Sequence, residues 1–130
     1  MKNFNIVRLD SKGRIIIPYH IRELLDIDEG AEFVILSHAS GEIKMLPLIK
    51  GKTAEINVVF QDTPGAMARI AEAMAKLKID FIMSQSKTLE RGHLAEMHAI
   101  VDVSNCRDLK KVSGYISAID MIKKVEITER

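Results

Sequence analysis

Between residues 54 and 128 the spacing of apolar residues switches back and forth between a period of two and a period of about 3.6, and few folds accommodate that order. Ile56, Val58 and Phe60 alternate with Asn57, Val59 and Gln61, which predicts a strand over 54–61. Met67, Ile70, Ala71, Met74 and Leu77 then recur at helical spacing. Residues 79–88 and 94–103 return to alternation, with a turn at 89–92 between them. Along 94–103, Ala95, Met97, Ala99, Val101 and Val103 point one way and Glu96, His98 and Asp102 the other. Leu109, Val112, Ile116 and Ile119 mark a second helix, and 122–128 a last strand. The order βαββαβ implies an α+β unit with right-handed crossovers and both helices on one face of a four-stranded sheet. On the other face we expect Asn57, Val59, Ile82, Ser84, Glu96, His98 and Ile100. That face is half apolar and suits a dimer contact or another partner.

The first fifty residues follow a different plan. Val7–Pro18 reads as two short strands around Asp10-Ser11-Lys12-Gly13. A loop of Ser11, Lys12 and Gly13, with Gly13 left-handed, pairs Leu9 with Ile15 and Val7 with Ile17. Arg8 and Arg14 then share the opposite face, with Lys12 at the tip and Asp10 as the one carboxylate among them. Such a surface either reads phosphates or is simply solvated. Pro18 opens a short helix containing Ile21, Leu24 and Leu25, ended by Asp28-Glu29-Gly30. Strands at 32–38 and 42–46, joined at Ala39-Ser40-Gly41, place Val34, Leu36, Ile43 and Met45 as candidates for burial. A module of this size is marginal as a monomer, so we expect it to dimerise. No second helix follows the first, which excludes a helix-turn-helix.

Pro47–Lys52, with a proline, a glycine and two lysines, is the natural boundary. It separates a module at 1–50 from one at 53–130, and its shortness implies that the two are coupled in orientation. Nearly half the chain is hydrophobic, enough for real cores, and the net charge of +1 neither favours nor excludes nucleic acid. The distribution says more. Residues 1–22 carry Lys2, Arg8, Lys12, Arg14 and Arg22 against Asp10, while the next ten carry only acidic charges. A single cysteine, Cys106, rules out an intrachain disulfide and favours a reducing compartment. With no membrane-length apolar run and no signal-peptide pattern, the expected location is the cytoplasm.

Ile6-Val7-Arg8, Asp10, Gly13-Arg14-Ile15-Ile16-Ile17-Pro18, Ile21-Arg22, Leu25 and Ile27 together resemble the SpoVT/AbrB family of DNA-binding regulators. The resemblance covers about the first third of the chain. It implies an intertwined dimer whose swapped hairpins form a small β-barrel, with Arg8, Arg14, Arg22 and, more loosely, Lys12 facing double-stranded DNA. Glu23 departs from the pattern, since many members carry a second basic residue just after the position of Arg22.

A second resemblance covers residues 53–130. Val58–Phe60, Asp62-Thr63-Pro64-Gly65-Ala66-Met67, Ile79-Asp80, Ala99–Val103 and Val125–Ile127 are similar to the ACT domain, a ferredoxin-like regulatory module that often binds amino acids. The Asp-x-Pro-Gly turn opening the first helix is its most informative piece. By this resemblance a ligand lies between subunits, against Asp62, Gly65, Ala66, Met67 and Asp80. Helix-start amides suit a carboxylate, and Asp62 or Asp80 an ammonium. Asp62 is equally readable as a turn or cap residue, and Asp80 stands where ligand-binding members often have Asn. Some ACT domains serve assembly alone.

Nothing in the sequence argues for catalysis. His20, His38, His93 and His98 are scattered without metal-ligand spacing. No glycine-rich phosphate loop or nucleophile elbow is present. Cys106 fits buried packing near a helix start, and the methionines fit core filling. The sequence therefore predicts a non-enzymatic, DNA-binding regulator with no cofactor. Its second module would sense an amino-acid effector or serve assembly, in a homodimer or homotetramer. Two alternatives stand beside it. One is an antitoxin-like DNA-binding protein, disfavoured by the folded pattern through the last residues. The other is a regulatory subunit of an amino-acid-metabolic enzyme that binds no DNA.

Overall fold

In a computed structural model, residues 4–48 and 51–130 are described. The chain divides into two units, 1–49 and 50–130. The expected linker includes residues 49 and 50, and the basic set of the first module includes Lys2; these three lie outside the described residues.

In the first unit the chain turns at Asp10–Arg14. Asp10 N–H donates to the Arg14 carbonyl at 3.0 Å, and Gly13, at φ 79°, donates to the Asp10 carbonyl. The tip thus has the three-residue loop expected of it. The arms beyond it differ from expectation: among the described residues, neither 6–9 nor 14–17 is a strand. The swapped-hairpin barrel is therefore not formed within one chain.

Helix α1 (Tyr19–Leu24) starts on the Pro18 carbonyl, which accepts from Ile21 and Arg22. It ends earlier than Asp28-Glu29-Gly30. Ile27 N–H returns to the Arg22 carbonyl at 2.8 Å and Asp26 N–H to that of Glu23, with Asp26 left-handed at φ 54°. This is a Schellman close with aspartate where glycine is usual. Strands β1 (Phe33–Ser37) and β2 (Ile43–Pro47) then form an antiparallel ribbon. Its register pairs Ile35 with Met45 and Ser37 with Ile43, so Ile43 and Met45 lie on the opposite face from Val34 and Leu36. The ribbon is apolar on both faces, and none of the described residues of this unit is buried.

The second unit closes its own core. Strand β3 (Thr53–Gln61) lies at the centre of a four-stranded antiparallel sheet with β4 (Asp80–Glu90), β5 (Leu94–Asp102) and β6 (Ile122–Glu129), in the order β4-β5-β3-β6. Helices α2 (Ala66–Lys76) and α3 (Leu109–Ser117) are the connections β3-to-β4 and β5-to-β6. Ile56, Val58 and Phe60 of β3 and Met97, Ala99 and Val101 of β5 meet Ile70 and Met74 of α2 and Val112 and Ile116 of α3 in one core. The ferredoxin-like order read from the sequence is present.

One strand is out of phase with expectation. A bulge between Phe81 and Met83 leaves Ile82 without a partner and pairs Ser84 with Ala99. Ala99 is a core residue, so Ser84, Ser86 and Thr88 face the helix side, and Gln85 and Lys87 take the open face beside His98 and Glu96. Asn57, Val59, Glu96, His98 and Ile100 keep the placement expected of them.

Candidate functional site

The loop between β3 and α2 is tied to the turn between β4 and β5. Asp62 N–H donates to the His93 carbonyl at 3.1 Å, and the Asp62 carboxylate accepts the Gly92 N–H at 3.2 Å. Thr63 N–H donates back to the Gln61 carbonyl, and Ala66 N–H to that of Thr63. Gly65 sits at φ 83°, a left-handed conformation strained for any residue with a Cβ. These contacts hold the first turn of α2 in place, and no side chain caps it. Its amide end opens onto a cavity of about 460 Å³.

Of the five residues expected at a ligand site, four line this cavity: Asp62, Gly65, Ala66 and Met67. Asp80 does not join them. It pairs with Asp102, which also faces Thr53, the first residue of β3. Asp62 follows the last residue of the same strand. Nine strand residues span about 30 Å, so Asp80 is at the far end of the sheet and could meet the other four only from a second subunit. Asp62 already uses one carboxylate oxygen on Gly92, which gives it a fastening role in its own loop.

The sequence reading missed the other wall. Ser86, Lys87 and Thr88 line the cavity from β4. Ser86 and Thr88 escaped because the bulge at Ile82 turns them to the helix side, while Lys87 between them keeps its side chain on the open face. The register was the signal that could have found them, since Thr88 lies opposite Ala95 and Ala95 opposite Phe60. The cavity thus brings together an acid, the hydroxyls of Ser86 and Thr88 and a set of helix-start amides. The combination suits a small molecule with both a negative and a positive group.

The four DNA candidates all lie in the first unit and are exposed. Asp10 organises two of them. Its Oδ1 accepts the N–H of Lys12 at 2.9 Å and of Arg14 at 2.8 Å, and Arg14 Nε donates to Oδ2 at 2.7 Å. The Arg14 backbone bond, then the Arg14 side chain, hold this carboxyl below its ordinary value of 3.8. Arg22 Nε donates to the Ile17 carbonyl at 3.0 Å, and its guanidinium lies 5.4 Å from the centre of the Tyr19 ring. Arg14 and Arg22 thus brace the unit. Arg8 and Lys12 have no ion pair among the described residues.

Among the described residues no helix is long and apolar enough to cross a membrane, and no three or more His, Cys, Asp or Glu side chains cluster to hold a metal.

The sequence profile of the ACT domain matches residues 51–126. Among solved structures, an ACT domain protein from Streptococcus pneumoniae superposes with a TM-score of 0.52 at 19% identity, over 62% of this chain and 91% of that one. An unknown protein from Galdieria sulphuraria superposes with a TM-score of 0.51 at 16% identity, over 61% of this chain. This chain spans only 45% of the length of the Galdieria protein. At these identities the likeness is one of fold. No curated protein matches the chain. The profile begins at residue 51, so the likeness of residues 6–27 to SpoVT/AbrB regulators rests on its own motif.

Proposed function

The chain belongs to the ACT domain family through residues 51–126, and we propose that it is a DNA-binding regulator whose ACT unit senses a small zwitterion of the amino-acid class. The ACT domain places it among regulatory, small-molecule-sensing modules. The observation that carries the finer reading is the cavity at the uncapped start of α2, with Asp62, Ser86 and Thr88 on its walls. A ligand carboxylate would meet the α2 amides and the hydroxyls of Ser86 and Thr88, and its ammonium the free oxygen of Asp62. Asp80 of a second subunit would complete the site.

The first unit would bind double-stranded DNA as a homodimer, or within a homotetramer. Its ribbon is apolar on both faces with nothing buried, a surface that a second copy would cover. Arginine suits the role because its planar fork matches phosphate and guanine edges. Arg8 and Lys12 would carry most of the phosphate contact, with Arg14 and Arg22 holding the tip and helix. Effector binding would act on DNA only through a difference in affinity between two arrangements.

The test is binding of the full chain to a pool of random duplexes over a salt series, with and without pooled amino acids. The expected result is binding that weakens with salt, and whose salt slope falls by about one per cation removed in Arg8→Ala and Lys12→Ala. Absence of binding at low salt in both conditions would overturn the DNA reading. It would favour a regulatory subunit that binds no DNA, a reading supported by the internal engagement of Arg14 and Arg22.

A further inference from the structure

A second cavity, of about 480 Å³, opens at the other end of β3, between the start of that strand, the segment leading into α3 and the end of β6. Its lining is of two kinds. Val103 is buried and Leu109 half-buried, giving the floor an apolar part beside the buried Thr53. Three cationic residues also line it: Lys52 just before β3, Arg107 in the segment before α3, and Lys110 in the first turn of α3. We propose that this cavity binds a small organic phosphate, with the phosphate at these cations and an apolar body on the floor.

The charge balance is the first argument. Among the described residues, Lys52, Arg107 and Lys110 form no ion pair. The lining also holds Arg130 and the carboxylates of Asp108 and Glu129. Asp108 is already committed: its Oδ1 caps α3 by accepting the Lys110 N–H at 3.1 Å, and its Oδ2 lies 4.0 Å from Lys111 Nζ. The helix start is thereby closed by the protein's own carboxylate, so the cationic side chains hold the ligand. Three of them lining one cavity match the several oxygens and double charge of a phosphate better than the single charge of a carboxylate.

The second argument is preorganisation. The Lys52 N–H donates to Ser104 Oγ at 3.1 Å and its carbonyl accepts the Val103 N–H at 2.9 Å. Ser104 N–H is in turn held by Asp102 Oδ1 at 2.9 Å, and Cys106 N–H donates to the Val103 carbonyl. The backbone beneath Lys52 and leading to Arg107 is therefore fixed before any ligand arrives, which lowers the ordering cost of binding. The cavity also falls within the usual range for small-molecule sites.

Cys106 lines the same cavity and is the chain's single cysteine, so its alkylation by neutral iodoacetamide reports occupancy. The full chain is labelled at constant ionic strength with phenyl phosphate, inorganic phosphate or benzoate. Phenyl phosphate is expected to slow labelling saturably. Inorganic phosphate, without the apolar body, and benzoate, without the double charge, should each need about tenfold more. Arg107→Ala/Lys110→Ala should raise the half-saturating concentration of phenyl phosphate by about tenfold, and Glu129→Gln should lower it. Amide spectra of the variants check that each is folded. An unchanged labelling rate in the wild type, or equal protection in the double variant with a native spectrum, overturns the proposal. Should the double variant misfold, Glu129→Gln decides alone, and protection that does not tighten counts against the site.

Discussion

The two units of this chain resolve the same physical problem in opposite ways. In the second unit, eighteen apolar residues are buried within one chain. In the first, Ile35 and Ile43 are 65% and 69% exposed on one ribbon face, and among the described residues none is buried. Both units have strong apolar patterns, so composition does not separate them. Layering does. A sheet with two helices on one face has somewhere to bury its apolar side. A two-stranded ribbon that is apolar on both faces has nowhere within its own unit. The lesson is that apolar patterning states how much surface must be covered, and topology decides whether one chain can cover it.

The largest effect expected from this contrast comes from truncating the two kinds of apolar residue. Ile56→Ala, at a fully buried position of β3 in the core beneath the helices, should destabilise the second unit by about 3 kcal/mol, independent of protein concentration. Ile35→Ser/Ile43→Ser in the first unit should leave that transition within about 0.5 kcal/mol of its original value, and should instead weaken self-association. Chemical denaturation at two protein concentrations, paired with sedimentation, separates the outcomes. An unchanged association state in the ribbon variant would mean that the exposed faces are not what a second copy covers.

The same contrast explains how much was legible in the sequence. In the second unit the six elements and their order were readable, because each strand and helix repeats its pattern over eight or more residues and the burial within one chain matches that pattern. The resemblance to the ACT domain, carried most by its Asp-x-Pro-Gly turn, led to four of the cavity residues. Ser86 and Thr88 were not legible, since a single bulged residue at Ile82 reverses the side chains of β4 as far as Thr88. In the first unit the loop tip was readable from Asp10 and Gly13. The end of α1 was not: Asp26 takes a left-handed conformation that its residue type favours only weakly, and Gly30 was the more visible stop. Neither was the split of Val34 and Leu36 from Ile43 and Met45, which depends on the register of the ribbon.

A smaller effect lies in a motif that the units share. Helix α2 ends as α1 does: Ile79 N–H returns to the Met74 carbonyl at 3.0 Å, Lys78 N–H to that of Ala75, and Lys78 is left-handed at φ 63°. Each helix thus closes on a residue with a Cβ in a conformation that glycine adopts at less cost. Lys78→Gly should stabilise the second unit by about 0.5–1 kcal/mol, after allowing for the extra freedom glycine gives the unfolded chain. Asp26→Gly should give a similar gain, but only in whatever transition reports the first unit. If Asp26→Gly stabilises the second unit's transition equally, the two units do not unfold independently, and the comparison drawn between them fails at the level of thermodynamics.

The smallest expected effect separates two carboxylates that are alike in geometry. Asp10 in the first unit and Asp102 in the second each accept the N–H of a residue just ahead in the chain, and each is held below its ordinary value of 3.8. Their causes differ. For Asp102 the donors are the side chain and then the backbone of Ser104, both neutral. For Asp10 the backbone of Arg14 leads, its guanidinium follows, and the Lys12 backbone adds to them. In both cases the folded value lies below the unfolded one. The contribution to local order is therefore complete above the unfolded value and is lost as pH falls through the folded one. The amide shifts of Lys12 and Arg14 should accordingly titrate with a midpoint below 3.8, and so should that of Ser104. Salt then distinguishes them. Raising ionic strength screens the exposed Arg14 charge, so the Asp10 midpoint should rise toward its ordinary value while that of Asp102 stays in place. Equal movement of both would mean that the Arg14 guanidinium does not hold the turn. The tip would then rest on backbone bonds alone, leaving Arg14 as free as Arg8 to meet a phosphate.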